Sequence, residues 1–377
     1  MQGAKTIGII GGGQLGRMLT LAALPLGFRV VVVDPGSNGP AAQAGAQEIT
    51  GDLYDVTALQ QLAKQADYIT VEIEHLDADA LEKIEGLGTP VNPAPQTIRL
   101  IQDKFKQKEF LQAHDIPVAP FSSIKNLNEA KKLLKQFGGK MIVKTRHGAY
   151  DGRGNMVVTN DTELAQAFEQ FAGRQLYAEQ IIPFKKELAA MVARSTTGDI
   201  QAYPIVQTIH ERNICLEVRA PADITVPERK RAEKVALQVA RQLQGAGVFG
   251  IELFLTKDGT VLVNEIAPRV HNSGHYTQDA CQVSQFEQHI RAISGLPLGP
   301  TALNAPAAVM INILGERTGD TKLTGLDKAL AVPHTSVHIY GKSPTKIDRK
   351  MGHITATGNT LAQAKARARL ARKHIGI

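Results

Sequence analysis

Cysteine is nearly missing from this chain of 377 residues, and the two present, Cys215 and Cys281, cannot build a disulfide framework. Neither stands at metal-site spacing from a histidine, which excludes a zinc ribbon or finger. No apolar run approaches the ~20 residues that a membrane helix needs. The opening Met-Gln-Gly-Ala-Lys-Thr leads directly into a strand at Ile7, so no signal peptide is expected. Internal repeats and low-complexity segments are lacking too. These absences point to a reduced, cytoplasmic setting without a membrane partner.

What is present is ordinary for a globular protein: 43% apolar and 21% charged residues, in a chain long enough for two or three domains. The net charge is +7. Nucleic-acid binders cluster such charge and interleave aromatics, whereas here aromatics make up 5% and the basic residues are spread out. Phosphorylated small molecules suit this distribution better. The exception is the tail Lys365, Arg367, Arg369, Arg372, Lys373, which shares a helical pattern with Leu361, Ala362, Ala366 and Leu370. It reads as a helix with a solvated basic face.

The first 95 residues alternate β-branched runs (Ile7–Ile10, Val30–Val33, Tyr68–Val71) with helical patterns at Gln14–Leu26 and Asp55–Ala66. That βαβ order predicts a parallel sheet covered by helices. Three prolines in Gly88-Thr-Pro-Val-Asn-Pro-Ala-Pro95 mark a boundary. One helix is predicted over Ile98–Ala113, then helix Leu127–Phe137, strands Met141–Lys144 and Met156–Val158, and helix Thr162–Phe171. Strand–helix alternation is expected to resume after Gln175 and to run to about Leu296. A shorter C-terminal region carries strands at Ala307–Ile313 and Ser336–Ile339 before the basic helix.

Gly11-Gly-Gly13-Gln-Leu-Gly16 fits G-x-G-x-x-G between a strand and a helix, with Asp34 ending the next strand. Such a turn lets a phosphate approach the unpaired amides of a helix N-terminus. It equally serves a monophosphate, or merely the packing of helix on strand. Alone it suggests a nicotinamide-dependent oxidoreductase; the rest of the chain points elsewhere.

Lys144 closes a strand and is followed by a loop with glycines at 148, 152 and 154, enclosing Asp151 and Arg153. Glycines free backbone amides to face phosphate oxygens, and the lysine adds a point charge. An ordinary hairpin with a surface lysine is the plainer alternative. Lys104, in Gln-Asp-Lys-Phe-Lys-Gln-Lys, looks by itself like part of a solvated helix. Leu176–Ile182 reads as a strand whose edge could hydrogen-bond a purine, with Glu179 and Glu187 as candidates for ribose hydroxyls or as plain rim charges.

Two apolar runs flank Asp258-Gly259, the signature of a two-residue hairpin turn. Pairing outward from it sets Leu255 opposite Leu262 and Glu252 opposite Glu265. Carboxylates so opposed, ~4.5–5.5 Å apart at Cβ, repel one another and need either a shared proton or a cation between them. Magnesium takes one or two carboxylates together with phosphate oxygens. Beyond the pair, Arg269, His271 and Asn272 are well placed for an anion beside a γ-phosphate. His271 could be a base, a donor or a packing residue, with donor the first choice.

The order Lys104, Lys144, loop 148–154, Glu179–Ile182, Glu187, Glu252, Asn264-Glu265 resembles that of the ATP-grasp superfamily. Gly-Gly-Gly-Gln-Leu-Gly-Arg-Met at 11–18, Tyr-Asp-Gly-Arg-Gly at 150–154, Asn-Glu-Ile-Ala-Pro-Arg at 264–269 and His-Asn-Ser-Gly-His-Tyr-Thr at 271–277 are similar to the N5-carboxyaminoimidazole ribonucleotide synthetases. The resemblance runs through Arg349-Lys-Met-Gly-His353 and so covers essentially the whole chain. It implies an α/β ATP-grasp fold: a doubly wound domain at 1–95, linker helix and lid at 96–183, catalytic domain at 184–300 and a substrate-phosphate region at 301–377.

For the nucleotide, the resemblance implies ATP contacts from Lys104, Lys144, Gly148, Ala149, Tyr150, Asp151, Gly152, Arg153, Gly154, Glu179, Gln180, Ile181, Ile182, Glu187, His210, Asn264 and Glu265. Glu252 and Glu265 would hold Mg2+. Tyr150, Asp151, Arg153, Lys342 and Arg349 would bind aminoimidazole ribonucleotide, the last two at its phosphate. Arg269, His271 and Asn272 would surround bicarbonate, activated by ATP as carboxyphosphate. A homodimer, and coupling to a downstream mutase or carboxylase, belong to the same expectation. Ala149, where a second glycine is usual, and Val-Glu-Ile-Glu-His at 71–75 look closer to the synthetase half of fused fungal enzymes. A chain of this extent is then either a free-standing relative or an excised half. The rival readings are an ATP-grasp ligase using formate or biotin, the nicotinamide enzyme, and a scaffold without activity.

Overall fold

The computed structural model describes residues 4–148 and 154–377. The βαβ reading holds at the N-terminus. Five parallel strands lie in the order Gln47–Thr50, Arg29–Asp34, Thr6–Ile10, Tyr68–Val71, Val91–Asn92. The order reverses between Thr6–Ile10 and Tyr68–Val71, and the crevice at their carboxyl ends is where such sheets bind ligands. The helix expected to reach Leu26 is α-helical only over Gln14–Ala23, and Pro25 sits in a 3-10 turn beyond it.

The glycine loop occupies that crevice, but its amides are already used. Gly12 N donates to Asp34 Oδ2 at 2.8 Å, Gly13 N to Glu72 Oε2 at 2.5 Å and Leu15 N to Glu72 Oε1 at 3.0 Å. Two side-chain carboxylates therefore stand where a dinucleotide's pyrophosphate would lie, which removes the oxidoreductase reading. The glycines instead make room for Glu72, because a Cβ on Gly13 would fall 2.5 Å from its Oε1. Gly13→Ala is accordingly expected to cost about 1–3 kcal/mol by overpacking, read as a lower thermal midpoint. An unchanged midpoint would show that the Glu72 carboxylate can move aside.

The helix expected over 98–113 is two, Pro95–Gln102 and Lys104–Ala113. Asp103 breaks it by capping the second helix, accepting from the Phe105 and Lys106 amides, and by pairing with Arg146. Four antiparallel strands then form a small sheet in the order Phe121–Ile124, Leu176–Gln180, Met141–Thr145, Asn155–Val158, with two helices on it.

After Gln175 the expected strand–helix alternation gives way to a nine-stranded antiparallel sheet. Its path runs Val261–Ala267, Gly247–Thr256, Phe184–Arg194, Val206–Glu211, Ile214–Ala220, Ala307–Leu314, Lys350–Gly358, Thr335–Ile339, with Ile200–Ala202 paired alongside. Short polar connections such as Arg212-Asn213, both at positive φ, close tight hairpins that periodicity alone does not separate from helix boundaries. Helix Val226–Gln242, held by a Thr225/Glu228 capping box, lays Ala232, Ala236 and Val239 on the sheet. The large sheet is fastened to the N-terminal one by buried polar contacts: His289 Nε2 to Thr70 Oγ1 at 2.7 Å, and Ala246 N to Asn92 Oδ1 at 2.8 Å.

The basic tail is helical over Leu361–His374. It buries Ala364, Ala368 and Ala371, while Leu370 is exposed, so the inward stripe is offset from the Leu361/Ala362/Ala366/Leu370 pattern. Three alanines let this helix lie close on the sheet, and close packing outweighs the larger leucine. No helix among the described residues is long and apolar enough to cross a membrane.

Candidate active site

Glu252 does face Glu265, although by a different route from the one the turn suggests. The turn is a three-residue loop: Thr256 N donates to Thr260 O, and Gly259 takes φ +83°. This puts Leu255 opposite Val261 rather than Leu262. A bulge at Asn264 then restores the step, so the carboxylates meet after all. Asn264 Nδ2 donates to Glu252 Oε2 at 3.3 Å. Burial and the facing Glu265 push the Glu252 carboxyl above its ordinary range. Lys104 Nζ reaches Glu265 Oε1 at 2.5 Å. An acidic pair with one carboxyl raised, and with Lys104 the one lysine paired to it among the described residues, suits a divalent cation.

Lys104 and Lys144 converge because Lys104 N donates to Arg146 O at 2.9 Å, tying the helix start to the end of the lid strand. Lys144 Nζ contacts Glu179 Oε2 at 3.1 Å, and Lys108, buried, contacts Glu179 Oε1 at 3.5 Å and donates to Val263 O at 3.2 Å. Burial alone would raise the Glu179 carboxyl, but Lys108 and Lys144 together hold it low. Glu179 is thus turned into lysines and buried, not open to ribose. The strand expected to reach Ile182 ends at Gln180 and is paired on both sides, so it has no free edge. Of this segment, Ile181 and Ile182 lie past the ladder, and the Ile182 carbonyl accepts from Phe184 N at 2.9 Å.

Glu187 holds His210 Nδ1 at 2.8 Å, and this pair lines the cleft. Burial works against a charged His210, yet the Glu187 hydrogen bond and charge raise its pKa overall. Gly148 and Gly154 flank the lid loop at positive φ. Ala149, Tyr150, Asp151, Gly152 and Arg153 lie outside the described residues.

Arg269 is gripped on two sides by Glu74, Nε to Oε2 at 2.6 Å and Nη2 to Oε1 at 3.1 Å. Its fork is therefore oriented by protein, with less of it open to an anion than the sequence suggested. His271 Nδ1 lies 2.6 Å from Ser273 Oγ, and its Nε2 lies 3.7 Å from Glu252 Oε1. Burial, then Arg269 and Lys350, lower the His271 pKa to about 3. A neutral imidazole fits a hydrogen-bonding role better than a base working near neutrality. Asn272 exchanges hydrogen bonds with Asn312 at 3.0 and 2.7 Å.

Two cavities meet at these residues. One, about 550 Å³, is lined by Lys104, Lys144, Glu187, His210, Glu252 and Glu265, among others. The other, about 420 Å³, is lined by Gln14, Leu15, Glu72, Tyr340, Lys342 and Arg349, among others. Arg269, His271, Asn272, Glu74 and Lys350 border both. Lys342 Nζ donates to Lys350 O at 3.0 Å, and burial, then Arg349, lower its pKa to about 8. A larger open groove of about 710 Å³ beside Glu217 and Arg369 shares none of these residues.

Sequence reasoning missed Lys108, Glu74 and Lys350. Lys108 follows Lys104 by four and precedes Leu111 by three, a spacing that already placed it on the inward helix face. Glu74 and Lys350 stand inside the strings at 71–75 and 349–353, but nothing in their local pattern gave either one a role.

Three domain families match in sequence: the ribonucleotide synthetase preATP-grasp domain over residues 4–102, the ATP-grasp domain over 109–286 and the phosphoribosylaminoimidazole carboxylase C-terminal domain over 308–367. The phosphoribosylaminoimidazole carboxylase of Ogataea methanolica is 44% identical over 374 residues, 97% of this chain and 68% of that protein. The chain thus spans about two thirds of that relative's length. The N5-carboxyaminoimidazole ribonucleotide synthase of Bacillus subtilis is 40% identical over 93% of this chain and 90% of its own. An Aspergillus clavatus N5-carboxyaminoimidazole synthase, solved with ADP and 5-aminoimidazole ribonucleotide, superposes with a TM-score of 0.91 at 36% identity, covering 99% of each chain. These likenesses extend over both cavities and the wall between them, and the chain belongs to the N5-carboxyaminoimidazole ribonucleotide synthase family of the ATP-grasp superfamily.

Proposed function

We propose that this chain carboxylates 5-aminoimidazole ribonucleotide with bicarbonate at the expense of ATP, giving N5-carboxyaminoimidazole ribonucleotide, ADP and phosphate in purine synthesis. The observation that carries this reading is the shared wall of Arg269, His271 and Asn272 between a nucleotide-sized cleft and a second, basic cavity. Residues that border both cavities can hold a small activated carboxyl group within reach of a nucleotide on one side and an amine on the other.

Lys104 and Lys144 would meet the triphosphate and Glu187 with His210 the ribose, all four lining the same cleft. Glu252 and Glu265 would hold Mg2+, which when bound neutralises charge on the phosphate oxygens. Bicarbonate oxygen attacks the γ-phosphorus, the bond to the β-phosphate oxygen breaks, and ADP leaves carboxyphosphate behind. Arg269, held by Glu74, and neutral His271 orient that anion by charge and hydrogen bonding. The exocyclic amine of the ribonucleotide then attacks the carboxyl carbon, phosphate departs and the amine loses a proton. Lys342 and Arg349 take the ribonucleotide phosphate in the second cavity. The lid loop, including Tyr150, Asp151 and Arg153, completes the substrate contacts in this proposal.

The same reading divides the chain at about residues 95, 183 and 300 and places it in the cytoplasm as a homodimer, coupled to the enzyme that consumes its product. Measuring ADP release with each substrate omitted in turn is the direct test. Release should require both bicarbonate and the aminoimidazole nucleotide for full rate. Stimulation by formate or biotin instead would overturn the proposal, and so would no ATP turnover at all.

A further inference from the structure

A second polar cluster lies behind the ribonucleotide cavity and takes no part in the chemistry above. His338 on strand Thr335–Ile339 and His353 on strand Lys350–Gly358 are directly opposed in the ladder. Opposed residues share one face of the sheet, and their rings stack with centroids 4.6 Å apart. Asp279, on the short helix Thr277–Ala280, closes over them, its two oxygens 3.1 and 3.0 Å from His338 Nε2. One ligand atom from each of Asp279, His338 and His353 lies within 4.8 Å of the others.

The bland account is a hydrogen-bonded Asp–His pair with a second ring stacked on it. It leaves one atom unexplained. His353 is wholly buried, its Nδ1 bonds Tyr340 OH at 2.9 Å, and its Nε2 has no hydrogen-bond partner among the described residues. Buried ring nitrogens seldom go unpaired. A histidine with one nitrogen held by a hydroxyl and the other bare has the arrangement of a metal ligand and its outer partner.

We propose that Asp279, His338 and His353 form a binding site for one Zn2+-class cation, through a carboxylate oxygen and the two Nε2 atoms. Two imidazoles and a carboxylate suit zinc, with a fourth position for water from the partly open His338 side. Ligand bonds of ~2.0–2.2 Å in a tetrahedron space the ligand atoms ~3.3–3.5 Å apart. The Asp279–His338 contact is already that close, so the third ligand needs a closure of no more than about 1.5 Å. The cation would clamp the helix carrying Asp279 to two sheet strands. That helix directly follows the loop of His271 and Asn272, and Tyr340 lines the ribonucleotide cavity. The site would thus brace one wall of the active site without entering it.

The test is a Zn2+ titration of the metal-stripped 377-residue chain by calorimetry, repeated with Co2+ as a spectroscopic probe. One equivalent should bind the wild type with micromolar or tighter affinity, and Co2+ should give the intense visible bands of a low-coordinate site. Asp279→Asn and His338→Ala should each weaken binding by about 10-fold or more, and Zn2+ should raise the melting temperature of the wild type but not of these variants. Glu265→Gln should retain full binding, which separates this site from the acidic pair in the cleft. Wild-type affinity in both Asp279→Asn and His338→Ala, or no binding tighter than millimolar in the wild type, overturns the proposal.

Discussion

Glu265→Gln is expected to lower kcat by about 100-fold or more, equivalent to roughly 3 kcal/mol of transition-state stabilisation, in a protein that still folds. Glutamine keeps the shape of the side chain, and Glu265 is partly open to the cleft, so little packing is lost. What disappears is one of two facing charges. Lys104 keeps only an amide oxygen as its partner, and Glu252, already raised by burial, no longer has the companion with which it could share a cation. A divalent ion at phosphoryl transfer acts chiefly on charge developing between phosphate oxygens, so the loss should fall on kcat and on the Mg2+ concentration needed for half-maximal rate. Glu252→Gln should behave similarly. The double variant should fall short of the product of the two losses, because the carboxylates act as a unit. ADP release at several Mg2+ concentrations measures all of this. Near-wild-type turnover in both single variants would remove the acidic pair from the reaction.

Glu74→Ala is expected to destabilise the protein by about 3–5 kcal/mol, because it leaves the Arg269 guanidinium buried without its counter-charge. Both side chains are largely buried, and the pair is joined by two hydrogen bonds. Glu74→Gln should cost less, since it retains an acceptor. Burial alone would raise the Glu74 carboxyl, but Arg269 reverses this and holds it at about 2, against an ordinary 4.5. A carboxyl depressed on folding stabilises the native state above its unfolded pKa, and that contribution drains away as pH falls through the folded value. The window here is pH 4.5 down to about 2, and the amount is on the order of 3 kcal/mol. Melting temperatures of wild type and Glu74→Gln should therefore differ at pH 7 and converge as pH drops through that window. Parallel curves would mean the pair carries no such linkage. A Glu74→Ala variant that melts like the wild type at neutral pH would mean Arg269 finds another partner.

Local pattern was enough for much of this molecule. The β-branched runs of the first 95 residues predicted a parallel sheet because a strand buried on both faces needs no partner's help to look apolar. Lys144 at a strand end and Arg269 just past one were likewise legible, because position within an element needs only the element. The helix break at Asp103 was not. Asp103 caps the second helix and also pairs with Arg146, forty-three residues away, a partner that only the folded chain supplies.

The facing carboxylates are the instructive case. Glu252 opposite Glu265 followed from counting back from Asp258-Gly259, yet the turn is one residue longer than counted and a bulge at Asn264 compensates. A sheet with one buried face tolerates no net slip, so burial of Leu253 and Val263 enforced the register that the turn alone did not. The glycine loop shows the opposite. Its residues were read correctly, but what sits against them is set by Glu72 and Asp34, which reach the loop only once the parallel strands are side by side.

The sequence by itself therefore determined the element types of the N-terminal unit, the chemical inventory of the site and, through its motifs, the family. Only the tertiary structure decided how the charges are engaged: Glu179 is spent on Lys108 and Lys144, the Arg269 fork is oriented by Glu74, and the glycine amides are taken by Glu72. The reason is physical. Helix and strand preferences act between neighbours along the chain, whereas the partner of a buried charge is whatever the folded chain brings within hydrogen-bonding distance.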